Sequence, residues 1–127
     1  MREKHLFEYA IVRIVPKVER EEFFNVGVIV YCAKENFLQA MFTFNEDRLR
    51  SFCTETDIAE LKKHLHSFDE ICKGSKNAGP IAQLDIASRF RWLTATRSTV
   101  VQSSKVHPGL CEDALETLER LHAQLVV

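Results

Sequence analysis

The chain has 127 residues, a formal net charge of −1 and 46% hydrophobic residues. A chain of this length and composition is expected to form a single domain over residues 1–127. The near-neutral charge argues against the strongly basic surface that is typical of nucleic-acid-binding proteins. No apolar run is long enough to span a bilayer, and no secretory signal is visible at the N-terminus, so we expect a cytoplasmic protein.

The first part of the chain predicts three β-strands. Residues 6–15 are rich in aromatic and β-branched side chains, and Pro16 follows them. Residues 23–32 and 37–43 have the same character. The segments that join these strands are short, which favours an antiparallel meander.

The hydrophobic period then changes from that of a strand to that of a helix. Apolar residues recur every three or four positions from Ile58 to Cys72, which predicts an amphipathic helix, and a short helix is expected before it at 46–52. Asp85 is a suitable cap for a third helix. A fourth strand is predicted at 99–103, a turn at 107–109 and a final helix from 111 to 125. The predicted fold is α+β: a small antiparallel sheet of about four strands covered by helices, in the order β-β-β-α-α-α-β-α.

One basic stretch indicates a site for an anion. Residues 86–111 contain no acidic side chain, whereas arginines and hydroxyl groups are frequent there. Guanidinium and hydroxyl groups are the donors that hold a phosphate or carboxylate. The structural alternative is that Arg97 pairs with acidic residues of the last helix and that the other arginines are simply solvated. The candidate residues are Arg89, Arg91, Arg97, Ser98 and Thr99.

A second polar cluster is expected around the first two strands. Its candidate residues are Arg13, Arg20, Glu22 and Asn25. Arg13 interrupts an apolar strand and needs a partner if it is buried, for which Glu22 is suitable. Alternation along the strand places Asn25 and Gly27 on the same face. In the functional interpretation a ligand approaches Gly27 and Asn25 fixes it. In the structural interpretation, which the sequence favours, Asn25 bonds to backbone and Gly27 leaves room for an aromatic ring.

The sequence predicts no metal and no cofactor. The four cysteines are widely separated and lie in or beside apolar runs, so we expect buried, reduced thiols. His64 and His66 are two residues apart, and on a helix they point in different directions. The motifs of phosphate loops, dinucleotide-binding folds and hydrolase nucleophile elbows do not occur.

Two long segments resemble a known protein family. They are R-E-E-F-F-N-V-G-V-I-V-Y (20–31) and R-F-R-W-L-T-A-T-R-S-T-V-V-Q-S-S (89–104), and the segments 9–16 and 107–111 fit the same pattern. The chain resembles the bacterial domain of unknown function 3037 family (DUF3037). The resemblance implies an uncharacterised protein. It also implies a partner, because members are often encoded beside kinase-like proteins of the persistence-toxin type.

These observations favour a non-catalytic accessory or interaction module with an Arg/Ser/Thr anion pocket, so we expect that the protein is not an enzyme. The first alternative is a small enzyme that acts on a phosphate- or carboxylate-bearing substrate, and the second is a weak nucleic-acid binder. An enzyme should have a cleft in which Arg97 meets Glu22 or His107. An interaction module should instead have an exposed apolar patch or a free sheet edge.

Overall fold

The structure is a computed structural model that describes residues 3–15, 24–43, 45–50, 55–95 and 101–126, with the backbone alone for residues 55 and 56. The fold is α+β, as predicted. In chain order its elements are β1 (His5–Ile14), β2 (Phe24–Cys32), β3 (Phe37–Phe42), α1 (Glu46–Leu49), α2 (Glu55–Lys73), a short 3-10 helix (Ile81–Gln83), α3 (Ile86–Leu93), β4 (Val101–Ser103), β5 (His107–Cys111) and α4 (Ala114–Leu125).

The five described strands form one antiparallel sheet. The strand order is β3-β2-β1, with both β4 and β5 paired to β1. β5 pairs with residues 5–9 of β1 and β4 with residues 12–14, so these two short strands share the edge of β1 that faces away from β2. β3 is therefore the outermost strand on the other side of the sheet.

The predicted turn at His107–Gly109 is wrong, because this segment belongs to the fifth strand, β5. Its Pro108 pairs with Glu8 of β1, the one described strand that borders β5. Proline lacks an N–H group and is tolerated at a sheet edge, where that donor is not needed. A side chain at Gly109 would collide with the ring of Phe7. Proline and glycine, which indicate a turn by composition, here suit a strand at the edge of the sheet.

Helices cover both faces of the sheet. On one face, the apolar stripe predicted for α2 packs on β1 and β2, and Phe90 of α3 completes the buried cluster. On the opposite face, Leu118 and Leu121 of α4 pack against Phe7 of β1 and the alternate valines of β2. The buried α2 residues are Ile58, Leu61, Leu65, Phe68 and Cys72. None of the helices in the described ranges has the length and apolar character required to cross a membrane.

Local signals set the ends of these helices. The Asp85 side chain accepts a 2.7 Å hydrogen bond from the Ser88 N–H, so it caps α3 as predicted. Gly74 follows α2 with a φ of 71°, a left-handed conformation that favours glycine at the end of a helix. The predicted start of α3 at Asp85 is confirmed.

Candidate functional site

The centre of the predicted anion site lies outside the described residues. This applies to Arg97, Ser98 and Thr99, and also to Arg20 and Glu22 of the second cluster. The anion site at Arg97 therefore stays a prediction, as does the pairing of Arg13 with Glu22.

The described hydroxyl groups near that site bond to the protein backbone. The Ser104 hydroxyl accepts a 2.8 Å hydrogen bond from the Ile11 N–H and donates to the Lys105 carbonyl. The Ser103 hydroxyl donates to the Ser104 carbonyl, and the Thr94 hydroxyl donates to the Phe90 carbonyl. These hydroxyls stabilise the strand and the helix end that carry them, which gives a structural reason for part of the hydroxyl-rich stretch.

Arg89 joins three consecutive segments of the fold. Its Nη1 donates a 3.3 Å hydrogen bond to the carbonyl of Ala82 in the 3-10 helix. Its guanidinium group also occupies the space that a Cβ atom at Gly74 would need, just beyond the end of α2. Arg89 is thus held against the carboxyl end of α2, where a cation is favourable for the helix dipole. This is a structural role.

Arg91 contacts a different part of the molecule. Its Nη2 lies 2.7 Å from Oε2 of Glu8 on β1. The Arg91 side chain is 56% exposed and that of Glu8 is 25% exposed, so the ion pair contributes only about 0–1 kcal/mol to stability. Arg89 and Arg91 consequently do not form one anion pocket together.

The structure brings Arg13 and Asn25 together across β1 and β2. A β-bulge separates the pair Val12–Gly27 from the pair Arg13–Asn25. Because of this extra residue, Asn25 and Gly27 do not share a face as their alternation predicts. Asn25 Nδ2 donates a 3.3 Å hydrogen bond to the Leu125 carbonyl of α4. Gly27 lies under the ring of Phe42. Both observations agree with the structural interpretation of this cluster.

A groove that the sequence did not reveal runs between β3 and α2. Its volume is about 840 Å³. Residues 38–42 of β3 form one side of the groove. Residues that recur along α2 form the other side. The α2 residues are Lys62, Leu65, His66, Asp69 and Lys73. We call this feature the β3–α2 groove. It depends on the position of β3 at the sheet edge, which no local pattern specifies.

The backbone groups of β3 alternate between the inside of the sheet and the groove. The Thr43 N–H donates to the Val26 carbonyl at 2.8 Å, which places Thr43 in a hydrogen-bonded pair with β2. In an antiparallel ladder such pairs alternate, so the backbone groups of Leu38, Ala40 and Phe42 face away from β2. The Ala40 N–H is directed at the sulfur of Cys72, which is a weak acceptor.

The charged residues of the groove are paired with one another. Lys62 forms an ion pair with Glu46, and Lys73 Nζ lies 2.8 Å from Asp69 Oδ2. The hydrogen bond from Lys62 holds the pKa of Glu46 below its usual value. The hydrogen bond to Asp69 raises the pKa of Lys73. The groove thus presents compensated charges around an apolar strand, and nothing in these pairs selects an anion.

A smaller apolar surface lies at the opposite edge of the sheet. Leu6 of β1 and Leu110 of β5 are cross-strand partners and are 63% and 64% exposed. Two leucines fall short of the patch of a few hundred Å² that marks an interaction site. The β3–α2 groove is therefore the stronger candidate.

Metal-binding side-chain types gather at one end of the sheet. The donor atoms of His5, Cys32 and Glu35 all lie within 4.8 Å of one another, and the Cys111 sulfur is 3.7 Å from Glu35 Oε2. Burial, together with the neighbouring Cys32 and Glu35, raises the pKa of Cys111 to about 11. Partial burial also raises the pKa of Glu35, but hydrogen bonds, chiefly from the Ala114 N–H, outweigh this and leave it below its usual value. No spacing along the chain reveals this cluster.

The described residues form a small α+β protein with a groove beside the outermost described strand, β3. Over residues 9–126 the sequence matches the profile of a family described as a protein of unknown function, DUF3037. Because this match spans nearly the whole chain, the protein belongs to the DUF3037 family, and the resemblance noted in the sequence is confirmed. Neither the curated proteins nor the solved structures contain a significant match to the chain.

Proposed function

We propose that the protein is a non-catalytic interaction module whose β3–α2 groove binds an extended, uncharged, apolar segment of a partner protein. The observation that carries this proposal is that β3 is an outermost strand among those the structure describes and that its sequence lacks the residues that prevent strand pairing. Proteins usually protect sheet edges with charged residues, proline, bulges, very short strands or a covering helix. In this protein α2 reaches the edge at Ala40, whose N–H is directed at Cys72. β3 has six residues, none of which is charged or a proline.

The opposite edge of the sheet provides an internal comparison. β4 has three residues, and β5 carries Pro108. Both are familiar ways of preventing a strand from pairing with another chain. The β4–β5 edge therefore has features that prevent pairing which the sequence of β3 lacks, and this difference supports a binding role for β3.

The dimensions of the groove suit a strand of similar length. Six residues of β-strand extend over about 20 Å. An incoming strand would hydrogen bond to the outward backbone groups of Leu38 and Phe42, and its carbonyl is a better acceptor for the Ala40 N–H than the Cys72 thiol. Because the groove charges are already paired, an uncharged segment fits this surface best.

The family resemblance supplies a candidate partner, a kinase-like protein encoded nearby. The anion pocket at Arg97, Ser98 and Thr99 remains part of the proposal on the grounds of sequence alone. The other two functions have less support. The enzyme alternative relies on Arg97 and Glu22, which lie outside the described ranges, and on His107. The nucleic-acid alternative relies on the alternation of Arg89, Phe90, Arg91 and Trp92. Phe90 is fully buried and cannot stack on a base, whereas Trp92 is 37% exposed.

The experiment measures binding of the kinase-like neighbour to wild type and to two variants by isothermal titration calorimetry. Leu38→Lys places a charge on the β3 edge and should weaken binding by more than about tenfold, since a buried, unpaired charge is unfavourable. Leu110→Lys, on the protected edge, is the matched control and should bind like wild type. Gln39→Lys, at an exposed position of β3, repeats the test if Leu38→Lys does not fold.

Three results would contradict the proposal. The first is binding that β3 variants leave unchanged, which would move the contact elsewhere. The second is loss of binding in Arg97→Ala together with normal binding in Leu38→Lys, which would favour the anion site. The third is a dimer of the isolated protein, detected by light scattering, that Leu38→Lys converts to monomer. The occupant of the groove would then be a second copy of the chain.

A further inference from the structure

Four side chains that commonly bind transition metals meet where β1 begins and where β2 and β5 end. Glu35 Oε2 lies 3.2 Å from His5 Nδ1 and 3.7 Å from the sulfur of Cys32. The same oxygen lies 3.7 Å from the sulfur of Cys111. The four residues of this cluster are His5, Cys32, Glu35 and Cys111.

The strand register brings these residues together. His5 and Cys111 are direct partners in the β1–β5 ladder. Cys32 is the last residue of β2, and Glu35 lies in the turn that leads to β3. This turn is closed by a hydrogen bond from the Asn36 N–H to the Ala33 carbonyl. Glu35 is 30 residues from His5 and 76 from Cys111, separations too long to form a metal-ligand motif along the chain.

The distances agree with the edges of a tetrahedral zinc site. Zinc lies about 2.3 Å from sulfur and about 2.1 Å from nitrogen or oxygen ligands, which gives edges of about 3.4 Å between N and O and about 3.6 Å between S and O. The measured separations from Glu35 Oε2 are 3.2 Å to nitrogen and 3.7 Å to each sulfur. These are three of the six edges of a tetrahedron. The mutually close donor atoms belong to His5, Cys32 and Glu35, so the Cys111 sulfur must move towards His5 and Cys32 to complete the site.

The surroundings of the cluster also suit a metal. The Ala114 N–H at the start of α4 donates to both carboxylate oxygens of Glu35, at 3.1 and 3.2 Å, and orients the group. Cys32 and Cys111 are buried, whereas the side chains of His5 and Glu35 are 18% and 23% exposed. The exposed side gives an ion a path to the buried thiols.

We propose that His5, Cys32, Glu35 and Cys111 bind one Zn²⁺ ion. Two thiolates and an imidazole favour zinc over the hard cations magnesium and calcium. The ion would join β1, β2, β5 and the start of α4, so it would bind the folded chain and stabilise it. This site departs from the sequence-based expectation of no metal, and it is independent of the β3–α2 groove.

The test uses untagged, full-length protein that has been treated with a chelator under reducing conditions. Titration with Co²⁺ should give one equivalent of bound metal with the visible bands of tetrahedral cobalt and a near-ultraviolet thiolate charge-transfer band. Zn²⁺ should then displace the cobalt. Zn²⁺ should also shift urea-induced unfolding of wild type to higher urea concentration.

Variants separate a metal site from a simple helix cap. Glu35→Gln retains an oxygen that can accept from the Ala114 N–H but is a poor ligand, and Cys111→Ser removes a thiolate. Each should lower Zn²⁺ affinity on the order of 100-fold or more. Cys72→Ser removes a buried thiol outside the cluster and should bind like wild type.

Some results would overturn the proposal. These are the lack of a thiolate charge-transfer band with Co²⁺, Zn²⁺ binding that Glu35→Gln and Cys111→Ser leave unchanged, and wild-type unfolding that Zn²⁺ does not shift. In any of these cases Glu35 would serve only as a hydrogen-bonding cap for α4.

Discussion

Ser104 provides a direct test of whether the basic stretch serves the fold or a ligand. The residue is 8% exposed, and its hydroxyl accepts from the Ile11 N–H at 2.8 Å while donating to the Lys105 carbonyl at 2.9 Å. The substitution Ser104→Ala leaves the Ile11 N–H without this acceptor. A buried polar group that loses its partner costs about 1–3 kcal/mol. For a chain of this size, that loss lowers Tm by about 4 °C per kcal/mol, so we expect a decrease of about 4–12 °C.

The matched control is Ser103→Ala. Within the described ranges the Ser103 hydroxyl bonds to the carbonyl of the next residue, in a half-buried position. Its loss should change stability by less than about 0.5 kcal/mol. Urea unfolding, monitored by circular dichroism, gives the free energy of unfolding of each variant. Equal effects of the two substitutions would refute the reasoning. A reduced response of Ser104→Ala to phosphate would refute it as well.

Four further predictions follow from the structure and the sequence. Gly27→Ala should destabilise the protein by about 1–3 kcal/mol in urea unfolding, because the new methyl group would overlap the Phe42 ring; an unchanged midpoint would contradict this. Burial, and then the charge of Asp69, raises the pKa of Cys72 to about 12, so this thiol should resist alkylation at pH 8 in native protein and react after denaturation; rapid native labelling would contradict this. The hydrogen bond from the first turn of α3 lowers the pKa of Asp85. The stabilisation by the Asp85 carboxylate is therefore present above the unfolded pKa of about 3.9 and is lost as the pH falls through the folded pKa. The Tm difference between wild type and Asp85→Ala should narrow on acidification, and a constant difference would contradict this. If Arg97 binds an anion, Arg97→Ala should abolish the thermal stabilisation by phosphate and leave the free energy of unfolding nearly unchanged. A decrease of about 3–5 kcal/mol in that free energy, with an unaltered phosphate response, would indicate a structural ion pair.

Much of the fold can be predicted because its signals are local. The spacing of Ile58, Leu61 and Leu65 identifies α2, since an α-helix brings every third or fourth residue to one face. The first three strands are equally clear from their β-branched and aromatic runs. Asp85 identifies the start of α3 because capping involves only the next few residues.

The features that the sequence did not reveal depend on pairing between distant segments. β5 was expected to be a turn because Pro108 and Gly109 are common in turns, and only the neighbouring β1 makes them suitable for a strand. The β-bulge before Arg13 reversed the expected relation between Asn25 and Gly27. Alternation along a strand predicts faces correctly only while no residue is inserted.

The candidate site was the least predictable part. The acid-free stretch predicts an anion site with Arg89 and Arg91 among its candidates, and in the folded chain these two arginines contact Ala82 and Glu8. The β3–α2 groove lies along a strand whose sequence is simply apolar. Its availability follows from strand order, which short-range patterns do not encode.

The central claim is that β3 presents a sheet edge to which a partner adds a strand. Residue-resolved amide hydrogen exchange, measured by NMR on the free protein and on its complex with the kinase-like neighbour, tests it most directly. In the free protein the amides of Gln39 and Met41 should exchange slowly because they bond to β2, whereas those of Leu38 and Phe42 should exchange quickly. In the complex Leu38 and Phe42 should become protected. A complex in which these two amides exchange as fast as in the free protein would contradict the claim.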